Sequence, residues 1–98
     1  MPQLNPPTVT KDGTFRTLNI TAATVVKASR GQLYQISVLV AGSAVGGAYD
    51  LAVTSGAGIA NQLFVIPNTV GIYKINMPAN TGILIVPGTG QTVAVSYL

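Results

Sequence analysis

The chain has 98 residues, a length that suits one domain. Hydrophobic residues make up 48% of it and charged residues only 7%, which is expected either of a surface that packs against neighbouring subunits or of a free monomer with a neutral polar coat. The absence of cysteine excludes disulfides and thiolate metal sites. The cations behind the net charge of +3 are scattered rather than clustered, which argues against direct binding of nucleic acid; they are Lys11, Arg16, Lys27, Arg30 and Lys74.

The chain begins with a proline-rich segment, and prolines favour an extended backbone over a helix or a central strand. We expect residues 1–13 to form an extended N-terminal arm and residues 14–98 to form the folded domain. The arm residues expected to bury against a neighbouring subunit are Leu4, Pro6, Pro7 and Val9.

The same segment lacks a basic start followed by an apolar stretch, so we expect no secretory signal. The apolar runs are far shorter than the roughly 20 residues that cross a bilayer, so we expect no contact with a membrane. Synthesis and assembly in a cytoplasm follow from these two expectations.

After the arm, short runs rich in Val, Ile, Thr and Tyr alternate with Gly, Pro, Asn and Asp, which is typical of many short strands. The predicted strands are residues 14–20, 22–28, 32–41, 47–54, 61–66, 70–77, 82–86 and 91–97. Strands spaced by about eight to twelve residues indicate an antiparallel β-sandwich or barrel. We predict an all-β, jelly-roll-like sandwich of eight strands, although periodicity leaves the strand order open.

Alternation predicts which side chains of a strand share a face. The more apolar face of the third strand contains Tyr34, Ile36, Val38 and Val40. In the fourth strand the corresponding residues are Tyr49, Leu51 and Val53, and in the last they are Val93, Val95 and Tyr97.

Residues 85–97, IVPGTGQTVAVSY, place two glycines between apolar runs and invite comparison with a phosphate-binding loop. Such a loop needs glycines that lead into a helix, usually with a lysine that reaches the phosphates. Here no lysine is present and a predicted strand follows. We therefore predict a turn in which Pro87 ends one strand and Gly88 and Gly90 are free to take positive φ.

The side chains available for catalysis are few, because the chain has no His or Cys, and its only carboxylates are Asp12 and Asp50. Asp12 lies in KDGT, a turn signature, and Asp50 lies on the mixed face of a predicted strand, where it is placed to pair with a base. A Ser or Thr nucleophile activated by Lys27 or Lys74 is chemically conceivable, but no spacing indicates it. We expect no enzyme, no cofactor and no metal site.

Two loops, residues 40–50 and 54–62, are rich in glycine and alanine and almost free of charge. They are either flexible connections or places where small residues let the backbone of a neighbouring subunit come close.

Four motifs lie along most of the chain: TAATVVKA-x-x-G at Thr21–Gly31, VAGSA-x-G-x-x-YD at Val40–Asp50, IPNTVG at Ile66–Gly71 and TGI-x-x-VPGTGQT-x-AVSY at Thr81–Tyr97. With these motifs the chain resembles small β-sandwich virion proteins of tailed bacteriophages, which look like head decoration, or cement, proteins. Proteins of that kind bind the major capsid protein at its hexamer and pentamer contacts and resist the internal pressure of DNA.

The resemblance implies a non-enzymatic structural protein on the capsid exterior, in contact with the major capsid protein and with neighbouring copies of itself, as a homo-oligomer in the particle. The cations expected to pair with acids of a capsid protein are Arg16, Lys27, Arg30 and Lys74. Two alternatives are a tail or head-fibre component that presents its loops to a host surface, and a carbohydrate-binding module.

Overall fold

The structure is a computed structural model that describes residues 15–98. The predicted arm, with Leu4, Pro6, Pro7 and Val9, lies outside the described residues, as does Asp12. Eight strands are present: β1 (Phe15–Ile20), β2 (Thr24–Lys27), β3 (Gly31–Val40), β4 (Gly46–Tyr49), β5 (Gln62–Ile66), β6 (Gly71–Ala79), β7 (Ile83–Val86) and β8 (Thr92–Tyr97). Within the described range the only helix is a short 3₁₀ turn, Ile59–Asn61, and no helix there has the length and apolar character needed to span a membrane.

The prediction of an all-β chain is confirmed, and each of the eight predicted strands matches an observed one. The fourth was predicted too long, because β4 ends at Tyr49 and the chain bends at Asp50. The Asp50 N–H donates to the Asn61 carbonyl oxygen and its carboxylate accepts hydrogen bonds from the connection between β6 and β7, so the partners of Asp50 lie outside the strand ladder of the sheet. Val53, predicted on an apolar strand face, is consequently 55% exposed in a loop.

The strands form two antiparallel sheets of four, with the orders β1-β8-β3-β6 and β2-β7-β4-β5. The pairing is nested along the chain: β1 pairs with β8, β2 with β7, β3 with β6 and β4 with β5. Contacts of β3 with β8 and of β4 with β7 complete the sheets. This arrangement is consistent with a β-sandwich.

One hydrophobic cluster draws residues from both sheets, which is how the inner faces of a sandwich form a core. The cluster consists of Ile20, Leu33, Ile36, Val38, Ala79, Val93 and Val95 from the first sheet and Ala48, Ile66, Ile83 and Ile85 from the second. The predicted alternation of β8 is confirmed, since Val93 and Val95 are buried and Tyr97 packs against the cluster.

The predicted face of β3 is wrong at both of its ends. Leu33 is fully buried whereas Tyr34 is only partly buried, and Val40 is 51% exposed. The pairing register with both neighbouring strands shifts between Leu33 and Gln35. This irregularity allows Leu33 and Ile36, three residues apart, to face the same core, which a strict period of two forbids.

Both edge strands of the first sheet contain such an irregularity. In β1 the register shifts between Thr17 and Ile20, and Asn19 there has a φ of 57°. In β6 the shift lies opposite Tyr34, and Asn76 has a φ of 52°. Asparagine tolerates this left-handed conformation better than most residues. Bulges at sheet edges increase the local twist and discourage the addition of a further strand.

Candidate functional site

Two of the predicted contact residues, Arg16 and Lys74, lie on the outward side of the sheet β1-β8-β3-β6, which is called the outer face below. Because Val93 and Val95 point into the core, Ala94 and Ser96 point outward. Ser96 pairs with Arg16 of β1 on one side and with Gln35 of β3 on the other. Gln35 in turn pairs with Lys74 of β6.

Residues that pair directly across antiparallel strands point to the same side. Arg16, Ser96, Gln35 and Lys74 therefore form one row across all four strands. Three interstrand spacings separate the two cations, so their Cα atoms are about 14 Å apart. Arg16 and Lys74 are both exposed.

The next row of the outer face has small side chains at its centre and large apolar side chains at its two ends. Ser37 pairs with Ala94 on one side and with Ile72 on the other, and Leu18 lies on the β1 side of this row. Small side chains in the centre leave a depression of about 160 Å³. Leu18, which lines the depression, is 55% exposed, and Ile72 at the opposite end of the row is 68% exposed.

The other two predicted cations lie off the outer face. Lys27 belongs to β2 in the second sheet and is partly buried. Its aliphatic stem passes so close to Gly31 that a Cβ there would lie 2.7 Å from the Lys27 Cδ. Arg30 is exposed in the connection between β2 and β3. The structure thus divides the four predicted cations into a pair on the outer face and a pair outside it.

Asp50, expected to pair with a base, instead binds the backbone of the connection between β6 and β7. Its Oδ1 accepts hydrogen bonds from the N–H groups of Thr81 (2.7 Å) and Gly82 (3.2 Å), and its Oδ2 accepts one from Asn80 (3.0 Å). We call this connection the 80–82 turn. Asp50 directly follows β4, a strand of the second sheet, so its carboxylate is not part of the outer face.

Two opposing effects act on this carboxyl group. Burial has the largest single effect and raises the pKa of Asp50, because a buried charge loses hydration. The backbone hydrogen bonds from Thr81, Asn80 and Gly82 favour the charged form and together outweigh burial, so that the pKa lies below its ordinary value. Asp50 is therefore a permanently ionised structural group at neutral pH.

The glycine-containing connection between β7 and β8, called the 87–91 loop below, leads into a strand, as predicted. Gly90 has a φ of +75°, which confirms the prediction for that residue. Gly88 does not use this conformational freedom, because its φ is not positive. Gly88 is required for a different reason: a Cβ there would collide with the carbonyl oxygen of Ala44.

Gln91 organises the 87–91 loop, a role that was not predicted from the sequence. It is 1% exposed and is the one buried polar side chain recorded among residues 15–98. Its Oε1 accepts a hydrogen bond from the Gly88 N–H (3.0 Å), and its Nε2 donates one to the Pro67 carbonyl oxygen (2.8 Å). A glutamine directly after a turn gives no sequence signal of burial, since this residue type is mostly exposed.

Glycines of the first predicted small-residue loop pack against the chain itself. Cβ atoms at Gly42 and Gly46 would collide with the backbone at Thr89 and Val86 respectively. In the second loop, Gly56 and Gly58 face open space. The small size of the residues in the 40–50 loop thus serves close approach within one chain.

The aromatic side chains lie mainly against the sandwich rather than in its loops. Phe15 stacks on Tyr97 with ring centroids 6.0 Å apart, and Phe64 packs against Tyr73 at 6.2 Å. Tyr49 covers Gly47, where a Cβ would lie 2.6 Å from the tyrosine hydroxyl oxygen. The rings therefore contribute packing area at the ends and edges of the sheets.

Among residues 15–98, no group of three His, Cys, Asp or Glu side chains is close enough to hold a metal ion. Comparisons of the chain with protein-family models, with curated proteins and with solved structures found no match.

Proposed function

We propose that this chain is a non-enzymatic structural protein of a tailed-phage virion that decorates the outside of the head. In this role it stabilises the shell by binding the major capsid protein and neighbouring copies of itself. The observation that carries the proposal is the outer face, a surface on which the described residues supply two cations and exposed apolar side chains but no acid. Such a surface suits attachment to another protein better than it suits a free monomer.

A jelly-roll topology forms part of the proposal. In a jelly roll an antiparallel ribbon of four strand pairs wraps into two sheets. The nested pairing of β1 with β8, β2 with β7, β3 with β6 and β4 with β5 supports it, as do the sheet orders β1-β8-β3-β6 and β2-β7-β4-β5. Jelly rolls are a common architecture of viral capsid proteins.

The composition supports a role in a large assembly. Only 7% of the residues are charged, so little electrostatic repulsion opposes close packing of many copies. Individually weak contacts suffice in such a shell, because each attachment raises the effective concentration for the next. The resemblance of the four motifs to small phage virion proteins is the reason for proposing a phage particle rather than another assembly.

The test is the copy number of the chain in purified particles of the phage that encodes it. Heads and tails are separated on a gradient, and the chain is quantified in each fraction by mass spectrometry with isotope-labelled peptides. Peptides of the major capsid protein and of the portal serve as internal standards of known copy number. We expect hundreds of copies per head.

A handful of copies confined to the tail fraction would contradict head decoration and favour the alternative of a tail or fibre component. Absence from both fractions would overturn the assignment to the virion.

A further inference from the structure

We propose that the outer face is the docking surface of the chain and that its occupant is a protein surface bearing carboxylates that pair with Arg16 and Lys74. This inference rests on the proposed function, which supplies the partner as a component of the head shell. The geometry specifies the partner's chemistry: two acidic positions about 14 Å apart, with an apolar strip alongside them that covers Leu18 and Ile72.

Charge complementarity distinguishes this occupant from a second copy of the same face. If two copies met face to face, Arg16 and Lys74 of one would meet the same cations of the other. Among residues 15–98, the outer face contains no carboxylate side chain to offset that repulsion, and the carboxylate of Asp50 is engaged at the 80–82 turn. An acidic partner removes the repulsion and gains two ion pairs at the border of an apolar contact.

The apolar side chains distinguish the occupant from a nucleic acid. Binding to a phosphate backbone relies on many cations along the path of the strand. In the part of the chain that the structure describes, the outer face offers two cations, with Ile72 and Leu18 exposed in the adjoining row. Burial of such side chains is favourable against a protein surface, because it removes apolar area from water.

The two edge strands of the same sheet are poorly suited to strand addition, which favours binding of the partner to the outer face. Strand addition requires an edge whose N–H and C=O groups form a regular ladder. β1 and β6 are both interrupted by bulges, at Asn19 and Asn76, whose positive φ values are costly for non-glycine residues. Both bulges border the outer face, one beside Leu18 and the other opposite Tyr34. They leave the outer face, rather than the strand edges, as the contact area.

The experiment measures binding of the full-length chain to heads purified from a phage that carries a stop codon in the gene for this chain. Bound chain is measured by co-sedimentation over a range of concentrations. We expect the double variant Arg16→Glu/Lys74→Glu to bind about 100-fold more weakly, because both ion pairs become repulsive. We expect Ile72→Asp to weaken binding about tenfold through the loss of apolar contact.

Two controls introduce acidic side chains elsewhere. Ser55→Glu introduces an exposed glutamate in the loop between β4 and the 3₁₀ turn, and Ile59→Asp replaces an apolar side chain that is 91% exposed before β5. Both controls are expected to bind within about twofold of the wild type. Thermal unfolding of each variant verifies that it is folded.

A second measurement needs no variant. Amine-reactive labelling of Lys74 is compared between the free wild-type chain and the chain bound to heads, with quantification by mass spectrometry. We expect binding to reduce the labelling of Lys74 at least about fivefold, because the ammonium group becomes buried in the interface. Labelling of Lys74 that does not change on binding would overturn the inference even if the double variant fails to fold.

The outcomes separate this inference from the proposed function. If the wild-type chain binds heads and the outer-face variants bind equally well, the docking surface is wrong and head decoration stands. If the wild-type chain does not bind heads, head decoration is wrong and the inference falls with it.

Three further results would each identify a different occupant and overturn the inference. Self-association of the free chain that Arg16→Glu/Lys74→Glu abolishes would identify a second copy on this face. A mobility shift of a DNA duplex that the same variant abolishes would identify nucleic acid. An increase in Lys74 labelling of the free chain after deletion of residues 2–10 would identify the chain's own N-terminal segment.

Discussion

The two connections that flank β7 are held by side chains of different chemistry. At one end the ionised carboxylate of Asp50 accepts hydrogen bonds from three N–H groups of the 80–82 turn. At the other end the neutral amide of Gln91 joins Gly88 and Pro67 while being 1% exposed. Asp50 is reached in part by solvent, so its charge retains hydration.

The difference follows from what each environment demands. A fully buried ion loses its hydration at a large cost, whereas a buried amide needs only a donor and an acceptor of suitable geometry. The 87–91 loop needs both, because it presents an N–H at Gly88 and faces a carbonyl oxygen at Pro67. The 80–82 turn presents only N–H groups, for which a carboxylate is the stronger partner.

The largest effect is expected from Gln91→Leu. Leucine fills similar space but leaves the Gly88 N–H and the Pro67 carbonyl oxygen without partners, at a cost of about 1–3 kcal/mol for each buried group. We expect the free energy of unfolding to fall by about 3 kcal/mol in urea denaturation. The matched control is Gln35→Leu on the outer face, for which we expect a change within about 0.5 kcal/mol. Equal effects at the two positions would contradict the role assigned to Gln91.

A somewhat smaller effect is expected from Gly88→Ala, because the added methyl group collides with the Ala44 carbonyl oxygen and the loop must shift. Overpacking of this kind destabilises by about 2 kcal/mol. Gly58→Ala is the control, since Gly58 is extended and no atom lies within 4 Å of an added Cβ. We expect that change to be neutral or slightly stabilising in the same urea denaturation experiment. A fully stable Gly88→Ala protein would show that Ala44 does not restrict the 87–91 loop.

The smallest effect at neutral pH is expected from Asp50→Asn, which removes the charge from hydrogen bonds that are mostly exposed to solvent. We expect a loss of about 1 kcal/mol at pH 7. Because folding lowers the pKa of Asp50, its contribution is fully present above the unfolded pKa of about 3.9 and disappears as the pH falls through the folded value. The difference between the wild type and Asp50→Asn should therefore vanish in acid.

Urea denaturation at pH values between about 2 and 7 tests both connections together. The deficit of Gln91→Leu is expected to stay constant over this range, because a neutral amide does not titrate. An Asp50→Asn deficit that persists at the lowest pH would show that the carboxylate acts through packing rather than through its charge.

Local patterns in the sequence predicted the strands because alternation and turn residues act over a few neighbouring residues. β8 illustrates this, with Val93 and Val95 buried as predicted. The prediction of β4 failed at Asp50, whose partners lie in the distant 80–82 turn. In β3, the burial of Leu33 depends on a register shift against its neighbouring strands, which alternation within one strand cannot show.

The candidate site shows the same division between local and distant effects. Exposed positions for Arg16 and Lys74 follow from their own strands, but a shared row requires that β8 and β3 lie between β1 and β6.

Composition and short-range periodicity sufficed to predict an all-β chain with eight strands, a turn at Gly90 and a surface with little charge. The order of the strands, the burial of Gln91 and the placement of Arg16 and Lys74 in one row emerged only in the folded structure. Each of these depends on pairing between segments far apart in the chain, where the free energy comes from a shared core and completed hydrogen bonds rather than from local propensity.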